Sequence, residues 1–440
     1  MRQLQELKLP FAKHTLHNGL DVLLHEDRSC PIVAVNLWYH VGSKNEQPGR
    51  TGFAHLFEHL MFEGSAHYDR GYFQPLQAAG ASLNGSTNAD RTNYWEVVPT
   101  NALELALWLE SDRMGYLLPA LTESKFTNQR DVVLNERRQS YENRPYGLAS
   151  MVLLSALFPG EHPYHWATIG EIDDLNAARL GDVQEFFRRY YHPANASLAI
   201  AGDIDPDVAL DLATAYFGDL DAGPAPAKVT ATASLAGDLR LVLEDRVELP
   251  RLYMAWLAPA MFSPADAELD LAADLLANGK TSRLYRRLVF DARIAIDVSA
   301  SQNSREIGGF LQITSTAAPG HSLAELESVI LAELEQLGDE GPSVEEMERG
   351  RVQAEAQFVF RLQTVGGFGG KSDQLNAYNV FMGDPGYFER DLARYEAATE
   401  ISVHQAVRRY LCGSPRVTLS VVPRGRLELA IPDSSPAIVS

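Results

Sequence analysis

The stretch Thr51-Gly52-Phe53-Ala54-His55-Leu56-Phe57-Glu58-His59-Leu60-Met61-Phe62 places apolar residues at 53, 56, 57, 60 and 61. That spacing is one buried face of a helix. On such a helix His55 and His59 lie four residues apart, with their Cβ atoms about 5–6 Å apart on one side. Two imidazoles so placed can reach a single metal ion. Glu58 lies on the adjoining edge of the same face, where it can reach a water beside the metal without being a ligand. His-x-x-Glu-His is the inverted order of a zinc-peptidase motif. A pair of hydrogen-bonded histidines on a packed helix satisfies the same five residues, and the pattern alone leaves both readings open.

Outward from this helix, the chain reads twice. Ahead of it, LDVLLHEDRSCPIVAVNLWYHVG (20–42) has the form of two apolar strands about a turn. In the second half, LRLVLEDRVELPRLYMAWLAP (239–259) is followed by the helical AELDLAADLLAN (267–278). Setting His55-Leu56 on Asp270-Leu271 brings Leu60-Met61 onto Leu275-Leu276, and Arg188-Arg189-Tyr190 is echoed by Arg408-Arg409-Tyr410. Duplication explains this economically. Between the halves lies AGPAPAKVTATASLAG (222–237), small, proline-containing and without periodic apolar residues, as a linker should be. The expected organisation is a motif-bearing half at 1–221, a linker at 222–240 and a homologous half without the motif at 241–440. Each half runs strand pair, helix, strands, long helices and a closing strand, ASLAIAGDI (196–204) or RVTLSVVP (416–423). The fold class is therefore α+β: two homologous halves, each an antiparallel sheet with helices packed on one face.

A catalytic zinc usually has three protein ligands and one open position. Glu136 fits the third, in FTNQRDVVLNERRQSYE (126–142), if Val132 and Val133 mark the inward face of that helix. A carboxylate on that face needs a positive partner. Glu136-Arg137-Arg138 suits a solvated helix equally well.

Composition narrows the function classes. The 440 residues are 45% hydrophobic and 22% charged, with a net charge of -20 and a pI near 5.0. Nucleic-acid binding by phosphate neutralisation is not expected of such a surface. The charge suits either an interior that attracts basic peptides or simple solubility. Cys30 and Cys412, the two cysteines, exclude a disulfide framework and are expected as buried free thiols. There is no apolar run of membrane-spanning length, and MRQLQELKLPFAKH at the N-terminus lacks the apolar core of a secretory signal,. No membrane partner is expected. The chain reads as cytoplasmic, or periplasmic if a signal was removed. VGGFGGKS (365–372) and DLLANGKT (274–281) approach the phosphate-loop pattern but have Val365 and Asp274 at its first glycine,. Gly366 to Gly370 instead reads as a flexible glycine-rich loop near a substrate.

These residues resemble the pitrilysin/insulinase family of zinc metallopeptidases, in its processing-peptidase-like branch. HLFEHLMFEGS (55–65), NGSTNADRTNYWEVVP (84–99), DVVLNERRQSYENRPYG (131–147), HPYHWATIGEIDDL (162–175) and GGKSDQLNAYN (369–379) are similar to family landmarks in family order. The 76 residues between His59 and Glu136 agree with the family spacing. The resemblance implies one zinc ion per chain on His55, His59 and Glu136, with Glu58 as the base. It implies that an extended peptide substrate lies as an added strand along Asn84, Gly85, Ser86 and Thr87. It also marks Gln129 as a supporting position, where relatives have a second glutamate. An amide there can orient a ligand by a hydrogen bond but adds no charge.

In the second half, Asp270, Ala273 and Asp274 stand where His55, Glu58 and His59 stand in the first, so no second zinc site is expected. Relatives draw an arginine and a tyrosine, seven residues apart, from this half or from a partner subunit. In LYRRLVFDARIAIDVS (284–299) those positions are Val289 and Ile296, and neither can donate a hydrogen bond. The resemblance thus implies a zinc endopeptidase subunit acting on peptides, completed as a heterodimer by a homologous chain carrying the Arg/Tyr pair. The competing class is a catalytically silent structural subunit of a larger complex, but such chains tend to lose motif residues and this one keeps all four.

Overall fold

A computed structural model describes residues 7–225 and 227–439. The first six residues of the N-terminal stretch and Pro226 of the linker lie outside it. Strands β1 (Ala12–Thr15), β2 (Asp21–Glu26), β3 (Ile32–Tyr39), β4 (Ser82–Thr87), β5 (Thr92–Pro99) and β6 (Ala196–Gly202) form one sheet in the order β1-β2-β6-β3-β5-β4. Strands β7 (Leu239–Asp245), β8 (Arg251–Ala258), β9 (Ala295–Asn303), β10 (Gly309–Ala317), β11 (Arg416–Pro423) and β12 (Ser435–Pro436) form the other, in the order β12-β7-β11-β8-β10-β9.

Both sheets repeat one arrangement, in which the closing strand inserts between the two strands that open the half. Thus β2 and β3 do not pair. Strand β6, buried at every residue, lies between them, parallel to β2 and antiparallel to β3. In the second sheet β11 does the same between β7 and β8. The sheets are otherwise antiparallel, apart from the short β12 beside β7. Fully buried central strands need apolar side chains on both faces, and ASLAIAG and VTLSVV supply small and β-branched ones. Strand β4 pairs with β5 alone and forms the edge of its sheet.

Packing divides the chain differently from the duplicated pattern. One compact unit contains residues up to 135, 168–229 and 356–390; the other contains 136–167, 230–355 and 391 onward. Each half therefore lends a segment to the unit built mainly by the other. The helix Lys371–Met382 joins the first sheet through polar contacts. Asp373 Oδ1 accepts hydrogen bonds from Trp38 Nε1 at 2.9 Å, Asn36 Nδ2 at 3.2 Å and Asn93 Nδ2 at 3.3 Å. Asn379 Nδ2 donates to Asp21 Oδ2 and to Ser197 Oγ, both at 2.9 Å. Leu375 adds an apolar contact with Leu9, Leu23 and Ala199. In the second unit, Leu252, Met254 and Trp256 of β8 and Leu311 and Ile313 of β10 pack on Leu271 and Leu275 of helix Asp266–Ala277 and on Ile330, Leu334 and Leu337 of helix Leu323–Glu340.

Two expectations are corrected. Both cysteines are free but exposed: Cys30 lies in the turn after β2, and Cys412 ends the helical turn 408–412, so neither is on an inward face. On helix Glu123–Arg137 the buried residues are Phe126, Val133, Leu134 and Arg137, while Val132 is 44% exposed. Neighbouring helical residues point about 100° apart, and the row through Phe126 turns Val133 inward and Val132 out. Among the described residues, no helix is long and apolar enough to cross a membrane.

Beneath the first sheet lies a buried charged cluster. Arg113 and Glu110, on helix Leu103–Ala120, and Glu96, on β5, are each at most 1% exposed. Arg113 Nε donates to Glu110 Oε2 at 2.9 Å, Tyr72 donates to Glu110 Oε1 at 3.0 Å, and the guanidinium lies 4.0 and 4.1 Å from the rings of Tyr72 and Tyr94. One arginine faces two carboxylates. Burial, then the neighbouring Glu110, pushes Glu96 far above the usual carboxylate range. The fold therefore retains a proton that the unfolded chain releases. Stability from this group is complete below the unfolded value of 4.5 and is lost, by about 1.4 kcal/mol per pH unit, as pH rises towards the raised folded value. Glu96→Gln should consequently gain stability over the parent from pH 5 to pH 8, with the two converging near pH 4. Urea unfolding across that range measures it, and a pH-independent difference would contradict the assignment.

Candidate functional site

The motif helix spans Phe53–Leu60. It starts at Gly52, whose φ of +86° favours glycine and where an added Cβ would lie 2.9 Å from the Ile169 carbonyl oxygen. Its unsatisfied N–H groups are capped from a distance: Glu46 Oε2 accepts from Gly52 N at 2.9 Å and Oε1 from Ala54 N at 2.8 Å. A buried carboxylate there satisfies two main-chain donors and complements the positive end of the helix. Phe53, Leu56, Phe57 and Leu60 are buried, and Phe57 meets Phe186, Phe187 and Tyr191 at centroid distances of 6.0, 5.5 and 5.0 Å. Fixing that face leaves His55, Glu58 and His59 together on the other side, each half-buried.

The rings of His55 and His59 lie 4.9 Å apart at 82°. Helix Glu123–Arg137 delivers Glu136, so that one donor atom from each of His55, His59 and Glu136 lies within 4.8 Å of the others. No other group of three or more His, Cys, Asp or Glu among the described residues is so placed. Two imidazoles and a carboxylate are the donor set of a zinc site with one position open. Tyr141 lies beside Glu136; burial first, and that carboxylate second, push its hydroxyl upward. On the same helix as Glu136, Gln129 donates from Nε2 to Glu63, four residues beyond His59.

Asn84, Gly85, Ser86 and Thr87 lie on the edge strand β4. A Cβ on Gly85 would stand 3.3 Å from Glu58 Cγ and 3.2 Å from the rings of Phe62 and Tyr94. A side chain here would press on Phe62, Tyr94 and Glu58, so glycine lets the edge backbone approach Glu58 without displacing them. The hairpin closes with Asn88 N donating to Arg91 O at 3.0 Å. Antiparallel alternation then turns the main-chain groups of Ser86 and Asn84 towards β5 and those of Gly85 towards the open edge. The outward Gly85 N–H is held by Asn84 Oδ1 at 2.8 Å. Arg91 donates to Ser86 O at 2.8 Å and to Ser86 Oγ at 2.6 Å. Burial lowers the Arg91 guanidinium, opposed by the charges of Asp373 and Glu58.

The second half uses its matching residues differently. Asp270 accepts from Tyr395 at 2.9 Å, Asp274 from Asn278 at 3.1 Å, and Ala273 is buried in the core. Val289 packs against that core and Ile296 is 51% exposed on β9. The phosphate-loop look-alike at 365–372 is not free for a nucleotide in its lysine or first-turn glycine: Lys371 is paired with Asp27 at 2.5 Å, and Gly366 lies against Ala34 and Val97, which a Cβ would meet at 2.6 Å. Sequence reasoning missed Glu46 and Glu63, since each acts through a loop that folds back onto the helix. The acid six residues before Gly52 was the available signal for the first.

Comparison with known proteins bears on this geometry. Residues 21–163 match the family profile described as insulinase, peptidase family M16, and residues 178–353 match that of the peptidase M16 inactive domain. The chain belongs to the M16 (pitrilysin/insulinase) metallopeptidase family. Zinc protease PqqE of Helicobacter pylori is 29% identical over 356 residues, covering 80% of each chain. The beta subunit of the mitochondrial-processing peptidase of Caenorhabditis elegans is 25% identical over 307 residues, 67% of this M16 chain and 65% of that one. The crystal structure of a protease from Helicobacter pylori superposes with a TM-score of 0.85 at 25% identity, covering 95% of this chain and all of the other.

The remote cap gives a direct test. Glu46→Ala removes the acceptor of two main-chain donors and should lower stability by about 1–2 kcal/mol, with Glu46→Gln keeping part of it. An unchanged urea midpoint for Glu46→Ala would show that the cap contributes nothing.

Proposed function

We propose that this M16 chain is the zinc-bearing subunit of an endopeptidase that cleaves extended or unfolded peptides. The observation that carries the reading is the convergence of His55, His59 and Glu136 beside Glu58 and the edge backbone at Gly85. His55, His59 and Glu136 would hold the metal. A zinc ion there would supply Lewis acidity to the scissile carbonyl and lower the pKa of the attacking water. Glu58, on the same face but outside the ligand set, takes the proton from that water at its carboxylate and returns it to the leaving amine. Strand β4 binds the peptide as an added strand, so that main-chain hydrogen bonds at Gly85 set its register. Gln129, through its hydrogen bond to Glu63, steadies the approach of the Glu136 helix to the motif helix.

Positioning the carbonyl is a separate requirement. Val289 and Ile296 give no donor, and the second half matches a profile described as an inactive domain. We therefore assign the missing arginine and tyrosine to a homologous partner chain, in a heterodimer. The named subunit of the mitochondrial-processing peptidase among the relatives accords with such an assembly.

Glu58→Gln should retain about one zinc per chain, measured by elemental analysis, while losing nearly all peptide hydrolysis. His55→Ala, His59→Ala and Glu136→Gln should each lower zinc occupancy. Loss of zinc from Glu58→Gln, or full occupancy in Glu136→Gln, would mean that these roles are misassigned. Loss of an oxyanion donor typically lowers turnover by about 10²–10³, so the purified zinc-loaded chain should cleave a mixed peptide pool slowly by itself and faster with its partner. Full activity as a monomer or homodimer would refute the partner requirement.

A further inference from the structure

The edge strand has two different faces. Gly85 is on the face of Glu58, whereas Asn84 and Ser86 are on the opposite face, in register with Trp95 and Asn93 of β5. There Trp95 meets Phe368 edge-on, with ring centroids 5.5 Å apart. Phe368 is 51% exposed, a large aromatic ring left in solvent by a loop with glycines at 366, 367, 369 and 370. That loop is fastened down. Gly369 N donates to Asp373 Oδ2 at 2.8 Å, and Gly366 sits where any Cβ would strike Ala34 and Val97. The Trp95 indole N–H is shielded from solvent and has no acceptor among the described residues.

We propose that Trp95 and Phe368 form a specificity subsite for a large apolar or aromatic side chain of the bound peptide, at the residue opposite Asn84. The proposal rests on the reading above that the peptide adds to β4. To pair with the edge, the peptide must take over the Gly85 N–H, which displaces the Asn84 carboxamide that now holds it. Side chains of an added strand alternate between faces. The residue opposite Gly85 faces Glu58, and its neighbour opposite Asn84 faces the side of Trp95. A directly opposed pair has Cβ atoms about 4.5–5.5 Å apart. Only a large side chain therefore extends past Asn84 to the indole and the Phe368 ring. The other flank is unlike this one, because Arg91 covers Ser86 with its guanidinium, which also lies 5.1 Å over the Trp38 ring. Along that face one flank of the Gly85 position is aromatic and the other cationic, so the two flanks give the peptide a preferred direction.

The test uses the zinc-loaded Glu58→Gln chain, which reads binding without cleavage, and dye-labelled peptides scanned with Gly, Leu and Phe at each position. Fluorescence anisotropy should show a preference for Leu or Phe over Gly at one position. Phe368→Ala should reduce that Phe-over-Gly ratio by roughly 3- to 10-fold. Peptides that bind with a ratio insensitive to Phe368→Ala would overturn the subsite and leave strand addition standing. A chain that binds no peptide at any position would overturn strand addition, and the subsite with it.

Discussion

The burial of one helical face holds the site together. Phe53, Leu56, Phe57 and Leu60 are buried, with Phe53 against Phe186 and Phe57 against Phe186, Phe187 and Tyr191, and Glu46 fixes the first turn through two main-chain donors. A helix so clamped has no freedom to turn His55, Glu58 and His59 away from Glu136. The same helix carries Glu58, which lies close to the edge strand where Gly85 has no side chain. The metal binding, proton transfer and substrate register proposed for this chain would all depend on that one packed surface.

That surface was legible because its information is local. A period of 3.6 over 53–61 predicts the helix, and the helix places the motif. The edge position of Asn84 to Thr87 came from resemblance, and β4 does lie at the sheet edge. The strand order was not legible. Strand β6 reads as a closing strand because it ends the half, yet it lies between β2 and β3. An apolar run announces burial and says nothing of its neighbours. The same limit hid the exchange of segments between the compact units. Residues 371–379 are polar and amide-rich, and the first-sheet partners of Asp373 and Asn379 are more than 180 residues away in sequence. Val132 was misplaced because the buried face of this helix runs through Phe126, Val133, Leu134 and Arg137, and the pair Val132-Val133 alone does not say on which side of Val133 that face extends.

The two halves keep one strand order and differ in chemistry. At the positions of His55 and His59 the second half has Asp270 and Asp274, one tied to Tyr395 and the other to Asn278. These carboxylates serve hydrogen bonds between and within helices, and Ala273 fills the core where the first half has the half-buried Glu58. The repeated strand order is thus kept while the motif residues of the first half are replaced in the second. That copy also lacks polar donors at Val289 and Ile296, which is the physical ground for assigning the missing groups to another chain.

The central claim is that two imidazoles and one carboxylate of this chain hold a zinc ion. X-ray absorption at the zinc edge of the purified, zinc-loaded protein tests it most directly. The account predicts nitrogen and oxygen neighbours only, with the scattering signature of two imidazoles in the parent chain and of one in His55→Ala or His59→Ala. A sulfur neighbour, or a two-imidazole signal that persists undiminished in either variant, would contradict it.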